Sequence, residues 1–149
     1  MAGPSYSYSG SCHCGAVSVA LSLTRAASEI AVRACQCGFC RPRGTRTIAE
    51  AAGRAVISAA SPDQVRRYRF GLKTADYLVC STCGTYIGAV QEQAEGLISV
   101  INVGGLDIPD FRDRTPDPVS YDGETVAERL ARRRTYWMPA VISWEAHAA

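Results

Sequence analysis

From Ala16 to Leu23 (AVSVALSL) apolar and small polar residues alternate with period two, the signature of a strand with one face buried. Further segments rich in Val, Ile and Tyr repeat the signal: Ile30 to Cys35, Val56 to Ser58, Val65 to Phe70, Tyr77 to Cys80, Tyr86 to Val90 and Leu97 to Val103. Between Asp107 and Gly123 the chain is dense in Pro and Asp, which predicts a loop. The period then changes. Thr125-Val126-Ala127-Glu128 is a capping-box pattern, and Arg129 and Arg132 to Arg134 fall toward the C-terminal end, where cations suit the helix dipole. Trp137 to Trp144 predicts a closing strand. The pattern describes a mainly β chain with one short C-terminal helix, without internal repeats or low-complexity segments.

Composition narrows this picture. At 149 residues, 1–149 reads as a single domain with enough chain for a proper core. The net charge of +2 is too small to point to nucleic acid, although fifteen of the sixteen basic residues are Arg. No apolar run has the length of a membrane span. The opening Met1-Ala2-Gly3-Pro4-Ser5 has no basic n-region and no apolar stretch, so no signal peptide is read there. These features place the chain in a reducing cytoplasm, with a small molecule as partner rather than nucleic acid or membrane. In that compartment clustered cysteines are more often metal ligands than disulfides.

All seven cysteines fall in three tight clusters: Cys12-His13-Cys14, Cys35-Gln36-Cys37-Gly38-Phe39-Cys40 and Cys80-Ser81-Thr82-Cys83-Gly84. Thiols used only as small core hydrophobes would be scattered. Thiols this close match what one zinc ion gathers from a turn, four ligands in a tetrahedron. Cys80 and Cys83 supply one pair, and either Cys12 and Cys14 or two of the central three could complete the site. The economical partition puts Cys12, Cys14, Cys80 and Cys83 on one metal and Cys35, Cys37 and Cys40 on a second. A closed four-thiolate site is structural, whereas three ligands with an open position are the pattern of a working zinc. Gly15, Gly38 and Gly84 follow cysteines closely, and each is expected to supply a positive φ that aims backbone N–H groups at sulfur.

Gly10-Ser11-Cys12-His13-Cys14-Gly15-Ala16-Val17, Cys35-Gln36-Cys37-Gly38-Phe39-Cys40-Arg41-Pro42-Arg43-Gly44 and Cys80-Ser81-Thr82-Cys83-Gly84, in that order and spacing, resemble the glutathione-dependent formaldehyde-activating enzyme family, which includes centromere protein V. The resemblance runs from about Gly10 to Gly105, a motif core of 10–105, leaving 106–149 as C-terminal loop, helix and strand. It implies a β-tent of small antiparallel sheets, a structural zinc on Cys12, Cys14, Cys80 and Cys83, and a second, catalytic and more labile zinc on Cys35, Cys37 and Cys40. It implies a carbon–sulfur lyase type of reaction on a thiol–aldehyde adduct such as S-hydroxymethylglutathione, formed from formaldehyde and glutathione, the latter a possible co-substrate. Tyr121 to Trp144 is similar to the same segment of a bacterial subgroup with unassigned substrates.

Charge around the second cluster bears on the partner. Ile30 to Ala49 holds Arg33, Arg41, Arg43 and Arg46 and no acid. Guanidinium groups grip carboxylates bidentately, so Arg41 and Arg43 are candidates to hold an anionic thiol, or else to balance the thiolates. His13 reads as a solvent-facing bystander, His147 as part of an unordered end, and Trp137 and Trp144 as core or interface aromatics. Tyr86 could reach a substrate, with core packing as its ordinary role. There is no phosphate loop, nucleophile elbow or paired-carboxylate signature. Two other functions stay open: a zinc-stabilised binding module without catalysis, and a thiol site for redox sensing or metal exchange.

Overall fold

The computed structural model describes residues 6–144; the Met1–Ser5 opening and His147 lie outside the described residues. Eleven strands run in chain order: β1 (Tyr6–Ser11), β2 (Val17–Leu23), β3 (Arg33–Cys35), β4 (Thr47–Ile48), β5 (Arg54–Ala59), β6 (Val65–Tyr68), β7 (Asp76–Cys80), β8 (Tyr86–Gln93), β9 (Gly96–Asn102), β10 (Asp117–Val119) and β11 (Met138–Ile142). Two helices interrupt them, the single turn α1 (Cys40–Arg43) and the longer α2 (Val126–Tyr136). The alternation read in β2 holds: Val17, Val19, Leu21 and Leu23 are buried and Ser18, Ala20 and Ser22 point away. Burying each such aliphatic side chain contributes roughly 1.5–3 kcal/mol. With Ile57, Leu78, Ile87, Ile101, Phe111 and Met138 they form the main core.

Strand pairing is continuous through the sheet and mostly antiparallel, as expected of hairpin-rich sequence. Two pairings are parallel, β10 with β3 and β11 with β5, and both join the C-terminal part of the chain to its N-terminal half. Strand β9 is the branch point. One edge pairs with β8 along its length. The other edge is shared: β11 occupies Leu97 to Ser99 and β4 occupies Ile101 and Asn102. The partner strand changes at Val100, and a cavity lined by Thr47, Ile48, Val100 and Trp137 opens there. The split edge of β9 is therefore what makes room for a site.

Several elements depart from expectation, among them β4 (Thr47–Ile48), which the Val-, Ile- and Tyr-rich segments do not include. β3 begins at Arg33 rather than Ile30, because Ile30 and Val32 are core residues of the preceding coil and turn. The Pro- and Asp-rich loop contains β10, whose Pro118 sits on an edge strand where the missing N–H costs nothing. β1 lies outside the expected strands: its Tyr-Ser-Tyr-Ser-Gly-Ser sequence has no aliphatic residue, and it pairs with β2 through all six residues. The capping box formed as read: Thr125 Oγ1 accepts from the Glu128 N–H at 3.1 Å, and Glu128 Oε1 accepts from the Thr125 N–H at 2.8 Å.

Candidate metal centre

The two outer cysteine pairs sit on turns at the ends of β1 and β7. After β1, Cys12 N–H donates to Val17 O and Gly15 N–H returns to Cys12 O, both at 2.9 Å, which folds the chain into a knuckle. Gly15 takes φ +83°, a conformation only glycine adopts at low cost. At the end of β7, Cys80 N–H donates to Thr85 O and Gly84 N–H to Cys80 O, with Gly84 at φ +80°. Each knuckle aims an amide at sulfur: Val17 N–H at Cys12 Sγ (3.3 Å) and Cys83 N–H at Cys80 Sγ (3.5 Å).

The topology brings these knuckles together. The Sγ atoms of Cys12, Cys14, Cys80 and Cys83 lie within 4.8 Å of one another. A zinc tetrahedron with Zn–S near 2.3 Å has sulfur–sulfur edges of about 3.8 Å. Cys12 to Cys14 is 3.7 Å and Cys14 to Cys80 is 3.6 Å, close to such an edge, so these residues fit the ion. Cys12 and Cys80 are buried in the core, while Cys14 is exposed. The Thr85 hydroxyl, 3.2 Å from Cys83 Sγ, pulls that thiol down to about 5, the state a metal ligand needs. His13 is exposed and joins neither thiol group.

A second thiol group forms from Cys35, Cys37 and Cys40, again within 4.8 Å of one another. Cys35 ends β3 and Cys40 opens α1. Here the expectation for Gly38 fails: it is not among the positive-φ glycines. The sulfur-directed amide, Cys40 N–H to Cys37 Sγ at 3.3 Å, is presented by the first turn of α1, and the positive φ falls at Gly44, where that turn ends. Interaction with the neighbouring Cys40 thiol pulls Cys35 down to about 6, and interaction with Cys35, with burial, pushes Cys40 up; the charge on Arg132 also favours the Cys35 thiolate. The donor set is all soft thiolate, suited to zinc.

These three thiols line the cavity at the split of β9, which has a volume of about 300 Å³; none of the outer four does. Phe70, Tyr77 and Tyr86 form part of its wall and pack on the buried Phe39, with ring centroids 5.0–5.3 Å from it. Burial first, then the neighbouring thiols, pushes Tyr77 up to about 12, and the same causes raise Tyr86. Arg129, Arg132, Arg133, Tyr136 and Trp137 supply another part of the lining. They follow an i, i+3, i+4, i+7, i+8 spacing along α2 and into its cap, a single helix face. That spacing is present in the sequence, where these arginines by themselves indicate only helix-end cations. Glu124 holds the face in place through Arg129 Nε (3.1 Å) and Arg132 Nε (2.8 Å), and Arg132 stacks on Tyr121 at 3.5 Å.

The arginines of the acid-free stretch separate. Arg33 lines the cavity. Arg46 donates to the carbonyls of Phe111, Arg112 and Arg114, tying β4 to the loop beyond β9. Arg41 and Arg43 are exposed on α1 and are not part of the cavity lining; Arg43 lies 3.9 Å over the Phe39 ring and donates to Phe39 O.

The chain matches the family model of the glutathione-dependent formaldehyde-activating enzyme over residues 7–120. It is also similar to the crystal structure of a Rhodobacter sphaeroides protein, with 31% identity and a TM-score of 0.52, over 74% of this chain and 97% of that one. No curated protein matches the chain. Among the described residues no helix is long and apolar enough to cross a membrane. With its thiol groups carried on the same mainly β scaffold, the chain belongs to the glutathione-dependent formaldehyde-activating enzyme family.

Proposed function

We propose that the chain is a zinc-dependent enzyme of carbon–sulfur lyase type, acting on a thiol–aldehyde adduct in the cytoplasm. The observation that carries this reading is the division of the thiols: three converge in the wall of a cavity, and four are gathered away from it. Cys12, Cys14, Cys80 and Cys83 would hold a structural zinc, and Cys35, Cys37 and Cys40 a second one. When bound there, the second zinc supplies a Lewis acid that keeps a thiol partner deprotonated near neutral pH. Cleavage of the adduct breaks its C–S bond, frees the aldehyde and returns the hydroxyl proton to the departing thiol. Tyr77 and Tyr86 stay protonated, and among the described residues neither phenol has a hydrogen-bond partner, so both can donate to an adduct oxygen. The aromatic wall limits water around the reacting carbon.

Arg41 and Arg43 remain proposed as outer contacts for an anionic partner, Arg41 being exposed and next to Cys40. The test of the reading is exchange of formaldehyde between its free and thiol-bound forms, followed by NMR with zinc-loaded protein. Wild type should speed exchange of a thiol adduct, and Cys37→Ala should abolish this while keeping the fold. Equal exchange with and without the three thiols would sink the enzymatic reading.

A further inference from the structure

We propose that Arg133 and Arg33 form an anion subsite in the cavity, and that it takes a compact organic acid with a planar apolar body rather than a long polar peptide. This deepens the reading above and rests on the cavity being where the thiol or aldehyde partner sits. Arg133 is only 4% exposed. Its Nη1 donates to Thr74 Oγ1 at 2.7 Å and Gln91 Oε1 at 3.0 Å, both neutral, and its guanidinium lies 4.6 Å from the Trp137 ring centre. Its Nε is buried without a partner. Among the described residues no carboxylate pairs with it, whereas Arg129 and Arg132 already share Glu124. A buried guanidinium without an anion is a costly arrangement that a bound carboxylate would relieve. Arg33, half-buried on β3, lines the same cavity, and its guanidinium has no hydrogen bond or ion pair among the described residues.

The rest of the lining describes the body of the ligand. Phe70, Tyr77, Tyr86, Tyr121, Tyr136 and Trp137 all contribute rings, while Asp122 is the one carboxylate among the lining residues. Rings of this kind favour flat apolar groups and offer little to the peptide units of a tripeptide. A volume of about 300 Å³ is at the lower end for ligand pockets. Tyr121, Arg133, Tyr136 and Trp137 lie beyond residue 120, where the family match ends, so this half of the subsite belongs to a part of the chain that the family model does not describe.

Calorimetric titration of zinc-loaded protein with four probes tests the proposal: 3-phenyl-2-sulfanylpropanoate, its amide, 3-phenylpropanoate and glutathione. The sulfanyl acid should bind at least about tenfold more tightly than its amide, as expected for a charge-assisted bidentate contact, and more tightly than glutathione. In Arg33→Gln the acid-to-amide ratio should fall toward one with the melting temperature unchanged. Arg133→Lys keeps the charge but loses the planar fork, so the ratio should fall there too. Equal binding of acid and amide to wild type would overturn the subsite, as would tighter binding of glutathione for the ligand class. Unchanged ratios in both variants, with zinc lost instead, would make these arginines charge partners of the thiolates and overturn the proposal. If 3-phenylpropanoate bound as tightly as its sulfanyl counterpart, the thiol reading of the cavity would fail while the anion subsite stood.

Discussion

Single residues decide how the two thiol groups are held. Cys80 ends β7 inside the core and its sulfur lies 3.6 Å from that of Cys14, so it joins segments that the chain keeps far apart. Closing so long a loop through a metal makes metal binding part of folding. Cys80→Ala should therefore lose zinc and either fail to fold or melt far below wild type, which metal analysis and a melting curve would show; unchanged values of both would reject the role. Gly88 matters for a different reason. A Cβ there would sit 2.3 Å from Val100 O, and β8 is packed too tightly to give way. Gly88→Ala should destabilise by at least about 1–3 kcal/mol in a denaturant melt, by overpacking between β8 and β9. Val100 lines the cavity, so the same variant should also weaken ligand binding there.

At the scale of elements, turns and termini carry much of the specification. Burial alone would push the Glu50 carboxyl up. Hydrogen bonds from Thr24 N–H (2.7 Å), Thr24 Oγ1 (2.6 Å) and Arg25 Nε (3.0 Å) outweigh it and hold the group below its ordinary value, clamping the end of β2 to the turn before β5. Because the folded value lies below the unfolded one, this stabilisation is present above the ordinary glutamate range and is lost as pH falls through the folded value. Glu50→Gln should lower stability at neutral pH and flatten the acid limb of a stability–pH profile; an acid limb identical to wild type would reject the clamp. Thr125→Ala removes one half of the capping box and should cost about 1 kcal/mol in a melt. Since α2 carries Arg129, Arg132 and Arg133 into the cavity, ligand affinity should fall with it. What was legible in sequence follows the same logic. Period-two strands such as β2, the capping box and the cysteine clusters are local signals, and all three came through. The strands less legible in sequence are short or poor in aliphatic residues: β1 has no aliphatic side chain, while β4 and β10 are two and three residues long and pair with strands distant in the chain. The cavity arginines were half legible. Arg33 lies in the acid-free, arginine-rich stretch, but the α2 face shows only as a spacing whose meaning depends on where the helix docks.

Across the whole molecule, one scaffold separates two thiol groups with different surroundings. The first is built from two glycine knuckles and joins the ends of β1 and β7 to the main core. The second lies in a wall where the edge of β9 passes from β11 to β4, under an aromatic and arginine lining. Four thiolates close a tetrahedron; three leave it open to exchange. The division should appear as an order of metal loss. The most direct measurement is a chelator titration of the full chain, with zinc per chain and circular dichroism followed together. Two zinc ions per chain are expected, the first leaving with cavity ligand binding while the β spectrum is kept, and the second leaving only as the fold is lost. Simultaneous loss of both ions with the fold, or a single zinc per chain with Cys35, Cys37 and Cys40 carrying none, would contradict it.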